Sequence, residues 1–499
     1  MSAFDWIGKW AKYAPEKIAI RETASGREVT YAELNRLAEN LAGTLHAKYG
    51  LAKGDRVAFL SDFSIELIAL FGAAQKAGFV LVPVNTRLTA HEVGFQLKTS
   101  GSKLVISEEA HKDKASEAEV PIISWEDGVS DKPEVYSVPM GEDDPIFILF
   151  TSGTTGFPKG AIYTHKMLFW NSVNTQLRLD LNSGDTTLNC MPAFHTGGWN
   201  VLITPLLHHG GSIWLSGEFD PEDVLHDLEK SGSTLFMAVP TMLKMLGEAK
   251  GFSNLKLPNM RYFIVGGEAL PLPVIEAWDE KGIPIRQGYG LTEVGPNVTS
   301  LHQDDAVQKR GSIGFFNFYI DYRVVNDSGI DCTPNEVGEL YLKGPNVTPG
   351  YWQNPEANEK NFLGAWFKTG DLVRIDQEGY VYVAGRKKEM YISGGENVYP
   401  REVEKVLQEH PAVAEAAVVG VPDEKWGESG AAFVTTRKDD PTDESTLAEF
   451  AAERLAKFKI PKYFFFPEAL PLNSTGKIDK KKLLEIYTNQ QKSSNHENV

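Results

Sequence analysis

Thr151-Ser-Gly-Thr-Thr-Gly-Phe-Pro-Lys-Gly160 packs three glycines, four hydroxyl side chains and one lysine into ten residues. The apolar run Ile146–Phe150 leads straight into it, which reads as a buried strand feeding a turn. Glycines let a backbone approach a ligand and adopt positive φ. Hydroxyls and backbone N–H groups then offer donors to phosphate oxygens, and Lys159 adds positive charge. A Walker A loop would place Gly-Lys-Ser/Thr at the mouth of a helix. Here Pro158 precedes the lysine and Gly160 follows it, so that motif is excluded.

Outside the loop, the chain reads as more than one domain. Its 499 residues exceed what one core organises. With 50 basic and 67 acidic side chains the net charge is −17, which disfavours nucleic acid and anionic membrane as partners. Cys190 and Cys332 form neither a disulfide framework nor a zinc spacing. The first residues lack the pattern of a signal peptide, no apolar run is long enough to span a bilayer, and the last three residues are no peroxisomal signal. A cytoplasmic protein without an integral membrane segment is expected, with a polar, frayed end over 490–499. A homodimer is left open.

Thr30-Tyr-Ala-Glu33 is a capping box, followed by apolar residues at helical spacing. Strands are expected over 56–60, 79–84 and 103–107, with a helix over 63–76 stopped by Gly78. This alternation predicts a large N-terminal α/β domain with parallel sheets. The charged stretch 108–144 reads as a surface crossing, and 338–352 as a glycine-punctuated β region. Beyond about residue 388, a helix over 401–408, strands over 413–421 and 431–436, a helix over 446–458 and a strand over 463–466 predict a small α+β domain. No internal repeat is present.

Further dense stretches follow the loop in order. They are Met191-Pro-Ala-Phe-His-Thr-Gly-Gly-Trp199, Gly266-Gly-Glu-Ala-Leu-Pro271, Gln287-Gly-Tyr-Gly-Leu-Thr-Glu-Val-Gly295, Trp366-Phe-Lys-Thr-Gly-Asp-Leu372, Gly385-Arg-Lys-Lys388, Gly394-Gly-Glu-Asn397 and Pro471-Leu-Asn-Ser-Thr-Gly-Lys477. Together with the loop they resemble the adenylate-forming superfamily of acyl-CoA synthetases, luciferases and nonribosomal adenylation domains. The match runs from about Thr30 to Lys477.

The resemblance implies ATP, Mg²⁺ and coenzyme A as the small molecules used. Thr151, Ser152, Gly153, Thr154, Thr155, Gly156 and Lys159 would hold phosphates. Gly266, Gly267 and Glu268 would border adenine and acyl group, with Gln287, Gly288, Tyr289 and Gly290 beside them. Tyr289 can offer a ring face to adenine, Thr292 can donate to the α-phosphate, and Glu293, with Thr151, can hold Mg²⁺ through oxygen. His195 would lie by the acyl and adenylate pocket, and Trp199 stands where an aromatic can gate an acyl tunnel. Asp371 and Arg386 would contact the ribose. Lys388 would be the hinge, and Gly394 and Gly395 would line the way in for CoA. Some relatives carry a lysine where this chain has Ile392. Lys477 would be the catalytic lysine.

The expected organisation is a large AMP-binding domain over 1–385, a hinge over 386–388 and a small mobile domain over 389–499. The expected activity is an AMP- and pyrophosphate-forming acyl-CoA synthetase acting on a medium- or long-chain fatty acid. Alternatives are a ligase for an aryl or dicarboxylic acid of coumarate or o-succinylbenzoate type, an amino-acid adenylation domain, or a nonenzymatic nucleotide-binding protein. Amino-acid domains place an acidic residue near the His195 motif, and Ala193-Phe194-His195-Thr196 supplies none.

Overall fold

The computed structural model describes residues 2–130, 134–151, 158–267, 270–394, 396–423, 425–437, 442–473 and 476–496, the last six without side chains. The chain divides into two compact units, one of 1–322 with 342–367, the other of 323–341 with 368–499.

The first unit is α/β with mixed sheets. One sheet has the order Ile122–Ile123, Leu104–Ser107, Arg56–Leu60, Val80–Pro83, Pro145–Thr151, Lys159–Thr164. All neighbours in it are parallel except the last two strands, which form an antiparallel hairpin. The helix Ile65–Ala77 starts where the Ser64 side chain accepts from Leu67 N and ends at Gly78 in left-handed backbone. The cap puts its start two residues later than the expected Phe63. Nearly all its residues are buried, as befits a helix apolar on every face. The capping box at Thr30 and Glu33 opens the helix Tyr31–Tyr49.

A second sheet in this unit runs Ser312–Phe316, Gly295–Ser300, Ile285–Leu291, Tyr262–Val265, Leu235–Ala238, Thr186–Asn189, Ser212–Leu215, Ile18–Glu22, Glu28–Thr30. From Ile18–Glu22 to Ile285–Leu291 the pairs are parallel. From Ile285–Leu291 to Ser312–Phe316 they are antiparallel. One strand therefore joins two styles of sheet: its residues 285–287 pair with Tyr262–Val265 and its residues 288–291 with Gly295–Ser300.

The second unit is α+β. Its sheet runs Glu396–Val398, Tyr391–Ser393, Gly427–Thr436, Val413–Asp423, with Tyr463–Phe465 added in parallel to Gly427–Thr436. Both faces of the two long strands are covered. Ala416, Val418, Ala432 and Val434 pack on Val403, Leu407, Leu447 and Ala451 of the helices Pro400–Gln408 and Glu444–Ala452. The alternate residues Ala417, Val419, Val421, Ala431 and Phe433 pack on Leu483 and Tyr487 of the helix Lys480–His496. The helix expected to reach Phe458 stops at Ala452, and a separate turn covers Lys457–Lys459. Much of the end expected to fray is helical to His496. Among the described residues no helix is long and apolar enough to cross a membrane.

Candidate active site

Thr151 and Lys159 are Cα partners at the end of the hairpin. Thr151 Oγ1 donates to Lys159 O at 3.4 Å. Ser152, Gly153, Thr154, Thr155 and Gly156 lie outside the described residues. Segment 348–352 docks on the returning strand: Ile162 N donates to Gly350 O (3.0 Å), Trp352 N to Gly160 O (2.7 Å) and Thr348 Oγ1 to Ile162 O (2.7 Å). Docking places the Tyr351 ring 5.4 Å from the Lys159 ammonium, a cation–π distance.

The same phenol reaches the second motif. Tyr351 OH donates to Glu293 Oε1 at 2.8 Å, and Thr348 N donates to Glu293 O at 2.7 Å. Glu293, only 8% exposed, sits with Thr292 on the single 3₁₀ turn Thr292–Val294. Tyr351 thus ties Lys159 and Glu293 into one cluster. The sequence reading passed over it, treating Gly350-Tyr-Trp352 as part of a β region. The Gly350-Tyr351 dipeptide was the only signal the sequence offered.

Gln287, Gly288, Tyr289 and Gly290 lie on Ile285–Leu291 where it changes partners. A Cβ on Gly290 would run into the Pro296 backbone, so close strand approach requires this glycine. Gly266 and Gly267 follow the adjacent parallel strand. Gly267 has φ +90°, and among the described residues the nearest neighbour for a Cβ there is Val239 Cγ1 at 4.0 Å. Glu268 lies outside the described residues.

His195 is half-buried, with its ring 4.5 Å from that of Phe194, and it leads into the short helix Thr196–Asn200. Trp199 is fully buried. Its Nε1 donates to Ala193 O at 2.7 Å, and Phe63, Phe71 and Phe147 surround it with centroids 4.8, 5.8 and 5.4 Å away. It occupies a core position, and gating would require it to leave this packing.

In the second unit, Asp371 and Arg386 are register partners across an antiparallel ribbon. Arg386 Nε lies 2.6 Å from Asp371 Oδ1, and the Asp371 side chain is almost wholly buried while Arg386 is exposed. Lys387 pairs with Glu339 (3.0 Å) and Asp327 (3.2 Å). Among the described residues Lys388 makes no ion pair; desolvation, and next the charge of Arg386, lower its pKa. Gly394 has φ +62° and a Cβ there would meet the Trp426 ring at 2.9 Å. Gly395 lies outside the described residues. Ile392, where some relatives are expected to carry a lysine, is exposed.

Lys477 is exposed. Leu472 bridges Ile478, Asn473 N donates to Lys477 O at 2.7 Å, Lys477 N donates to Asn473 Oδ1 at 3.1 Å, and Gly476 takes φ +81°. The lysine run 480–482 after it is the first turn of a helix.

Thr151, Thr292 and Glu293 offer hydroxyl and carboxylate oxygens, the hard donor set that suits Mg²⁺. Tyr351 fixes the Glu293 carboxylate in advance.

A family model described as AMP-binding enzyme matches residues 7–352, and one described as AMP-binding enzyme C-terminal domain matches residues 402–477. The chain is 38% identical to the long-chain-fatty-acid–CoA ligase FadD13 of Mycobacterium tuberculosis, over 96% of this chain and 97% of that protein. It is 37% identical to a feruloyl-CoA synthase of Amycolatopsis sp., over 95% and 97%. The structure of o-succinylbenzoate CoA synthetase (MenE) from Bacillus subtilis in complex with the acyl-adenylate intermediate OSB-AMP aligns with a TM-score of 0.88 at 36% identity, over 96% and 97%. The same enzyme has been solved with ATP and magnesium ion, with a TM-score of 0.87 at 35% identity, over 95% and 98%.

Proposed function

Because this chain belongs to the AMP-binding enzyme family, and is an acid–thiol ligase that forms AMP, we propose that the acid it joins to CoA is a medium- or long-chain fatty acid. The observation that carries this is the apolar character of the segments around His195. Met237 is the nearest neighbour a Cβ on Gly197 would meet, and Val239 the nearest to Gly267. No acidic side chain stands in 191–199 or 235–243 to receive an ammonium, and no Lys or Arg stands in 191–199 or 235–242 to receive a second carboxylate. An aryl acid is the second reading, favoured by the comparable identity to the feruloyl-CoA synthase.

In the first step a carboxylate oxygen attacks the α-phosphorus of ATP, and the bond to pyrophosphate breaks. Negative groups approach one another, so the barrier is largely electrostatic. Lys159, the loop donors and Thr292 would hold the phosphates, and Lys477 would meet the charge that develops. Glu293 and Thr151 would hold Mg²⁺, which supplies charge neutralisation when bound. Asp371 and Arg386 would orient the ribose. In the second step the thiol sulfur attacks the carbonyl of the acyl-adenylate and AMP leaves. His195 would border the acyl group throughout. The two steps ask for different groups at one carbonyl, which is why we place a pivot at Lys388, between a large domain over 1–385 and a small one over 389–499. Its rotation would withdraw Lys477 and present Gly394 and Gly395 to CoA.

The test is AMP release in the presence of CoA over a panel running from acetate through dodecanoate to palmitate, with ferulate, coumarate, benzoate and o-succinylbenzoate. Highest turnover on an acid of eight or more carbons in an unbranched chain is expected, and a clear preference for any aryl acid overturns the assignment.

A further inference from the structure

Lys480, Lys481 and Lys482 form the first turn of the helix Lys480–His496. Three lysines and no acid in the first turn of a helix oppose the helix dipole. Asp479 offsets this in part, its Oδ1 accepting from Lys481 N (3.1 Å) and Lys482 N (3.3 Å). A local rule broken in this way calls for a partner elsewhere.

Lys480 has two. Its Nζ lies 3.1 Å from Glu389 Oε2 and 2.8 Å from Glu404 Oε1. Glu404 Oε1 also accepts from Val418 N at 2.9 Å, which fixes it to a central strand of the small sheet. Only 22% of the Lys480 side chain is exposed, so these ions meet in a largely desolvated place, where losing one partner strands the others. Glu389 directly follows Lys388, in a turn where Glu389 N and Met390 N both donate to Arg386 O. Lys477 is three residues before Lys480, on a turn whose base is closed by Asp479 N donating to Pro471 O at 2.7 Å. Lys481 is close enough to Lys388 to disfavour its charge.

We infer that Lys480 is a positioning residue. By bridging Glu389 and Glu404 it locks the turn that carries Lys477 to the segment just beyond Lys388, so that any rotation there delivers the Lys477 ammonium to one fixed place. This rests on the assignment of Lys477 to adenylation and of Lys388 to the pivot.

The experiment uses the full chain and separates the half-reactions. Acid-dependent ATP–pyrophosphate exchange reports the first, with dodecanoate or the best acid of the panel above. Thioester formation from the matching acyl-adenylate and CoA reports the second. Lys480→Met should slow exchange by about 10- to 100-fold, the scale of a misplaced catalytic group, and leave the second half-reaction within about threefold. Lys480→Arg should restore most of the exchange. In a Lys477→Ala background, Lys480→Met should add nothing, because its effect passes through Lys477. Equal loss in both half-reactions, full additivity with Lys477→Ala, or unchanged exchange in Lys480→Met each overturns the inference. If Lys480→Met does not fold, Glu389→Gln is read by the same criteria. Exchange unaffected by Lys477→Ala would remove the assignment of Lys477 itself. Exchange lost in Lys477→Ala but kept in Lys480→Met removes only the tether.

Discussion

Tyr351 OH lies 2.8 Å from Glu293 Oε1, and the ring that carries it lies 5.4 Å from the Lys159 ammonium. One side chain thereby orients an acid and a base that the sequence holds far apart. Tyr351→Phe keeps the ring and removes the hydroxyl. A hydrogen bond to a charged group contributes about 1.5–3 kcal/mol, so adenylation should slow by about 10- to 100-fold. The Mg²⁺ concentration for half-maximal exchange should rise, while thioester formation from supplied acyl-adenylate stays close to wild type. Exchange kinetics titrated with Mg²⁺ check this.

Lys477→Ala removes the ammonium assigned to adenylation. The expected loss in ATP–pyrophosphate exchange is about 10²–10³-fold, the scale of one transition-state donor. The second half-reaction should fall much less. Comparable losses in both would show that Lys477 serves the protein in some other way.

Trp199→Phe discriminates core from gate. A buried tryptophan loses packing and a satisfied N–H on replacement, so the urea midpoint should fall by the equivalent of about 1–3 kcal/mol with little change in the preferred acid. A shift in chain-length preference at unchanged stability would assign Trp199 to the acyl tunnel.

Gly295 closes the second motif with φ +80°, and a Cβ there would meet Asn171 Oδ1 at 2.7 Å and Tyr163 OH at 3.2 Å. Gly295→Ala therefore combines backbone strain with a clash against buried side chains. A loss of about 2–4 kcal/mol in urea unfolding is expected.

His165 is fully buried beside Phe4, and neither ring nitrogen has a hydrogen-bond partner among the described residues. Burial pushes its pKa down to about 4, with Asp144 countering in part. The unfolded chain protonates this histidine near its ordinary value and so binds more protons between about pH 6.5 and 4. Stability is complete above pH 7 and drains as the pH falls through that window, by about 2 kcal/mol at pH 5. His165→Leu should flatten the difference between urea midpoints at pH 7 and pH 5.

Much of this was legible in the sequence because it is local. The Thr30–Glu33 capping box, the stop at Gly78 and the strand running into Thr151 each depend on a few neighbouring residues. Tyr351 was not legible, since its partners come from two other segments and no periodicity reports a hydrogen bond across them. The resemblance put Asp371 and Arg386 each at the ribose, but that they pair was not legible, and the ribbon register brings it about directly. The helix that begins at Lys480 was not legible, because a basic first turn contradicts helix electrostatics and the two glutamates that compensate are remote in sequence.

The strand Ile285–Leu291 is gripped on one edge by a parallel neighbour and, further along, by an antiparallel one. A slip of one residue would turn its side chains to the opposite face and would spoil two ladders of opposite polarity at once. The sheet therefore acts as a gauge block for Tyr289, Thr292 and Glu293. Insertions and deletions elsewhere in the chain can accumulate without moving these three groups relative to one another, and divergence among relatives should be free to concentrate in the acid-binding segments.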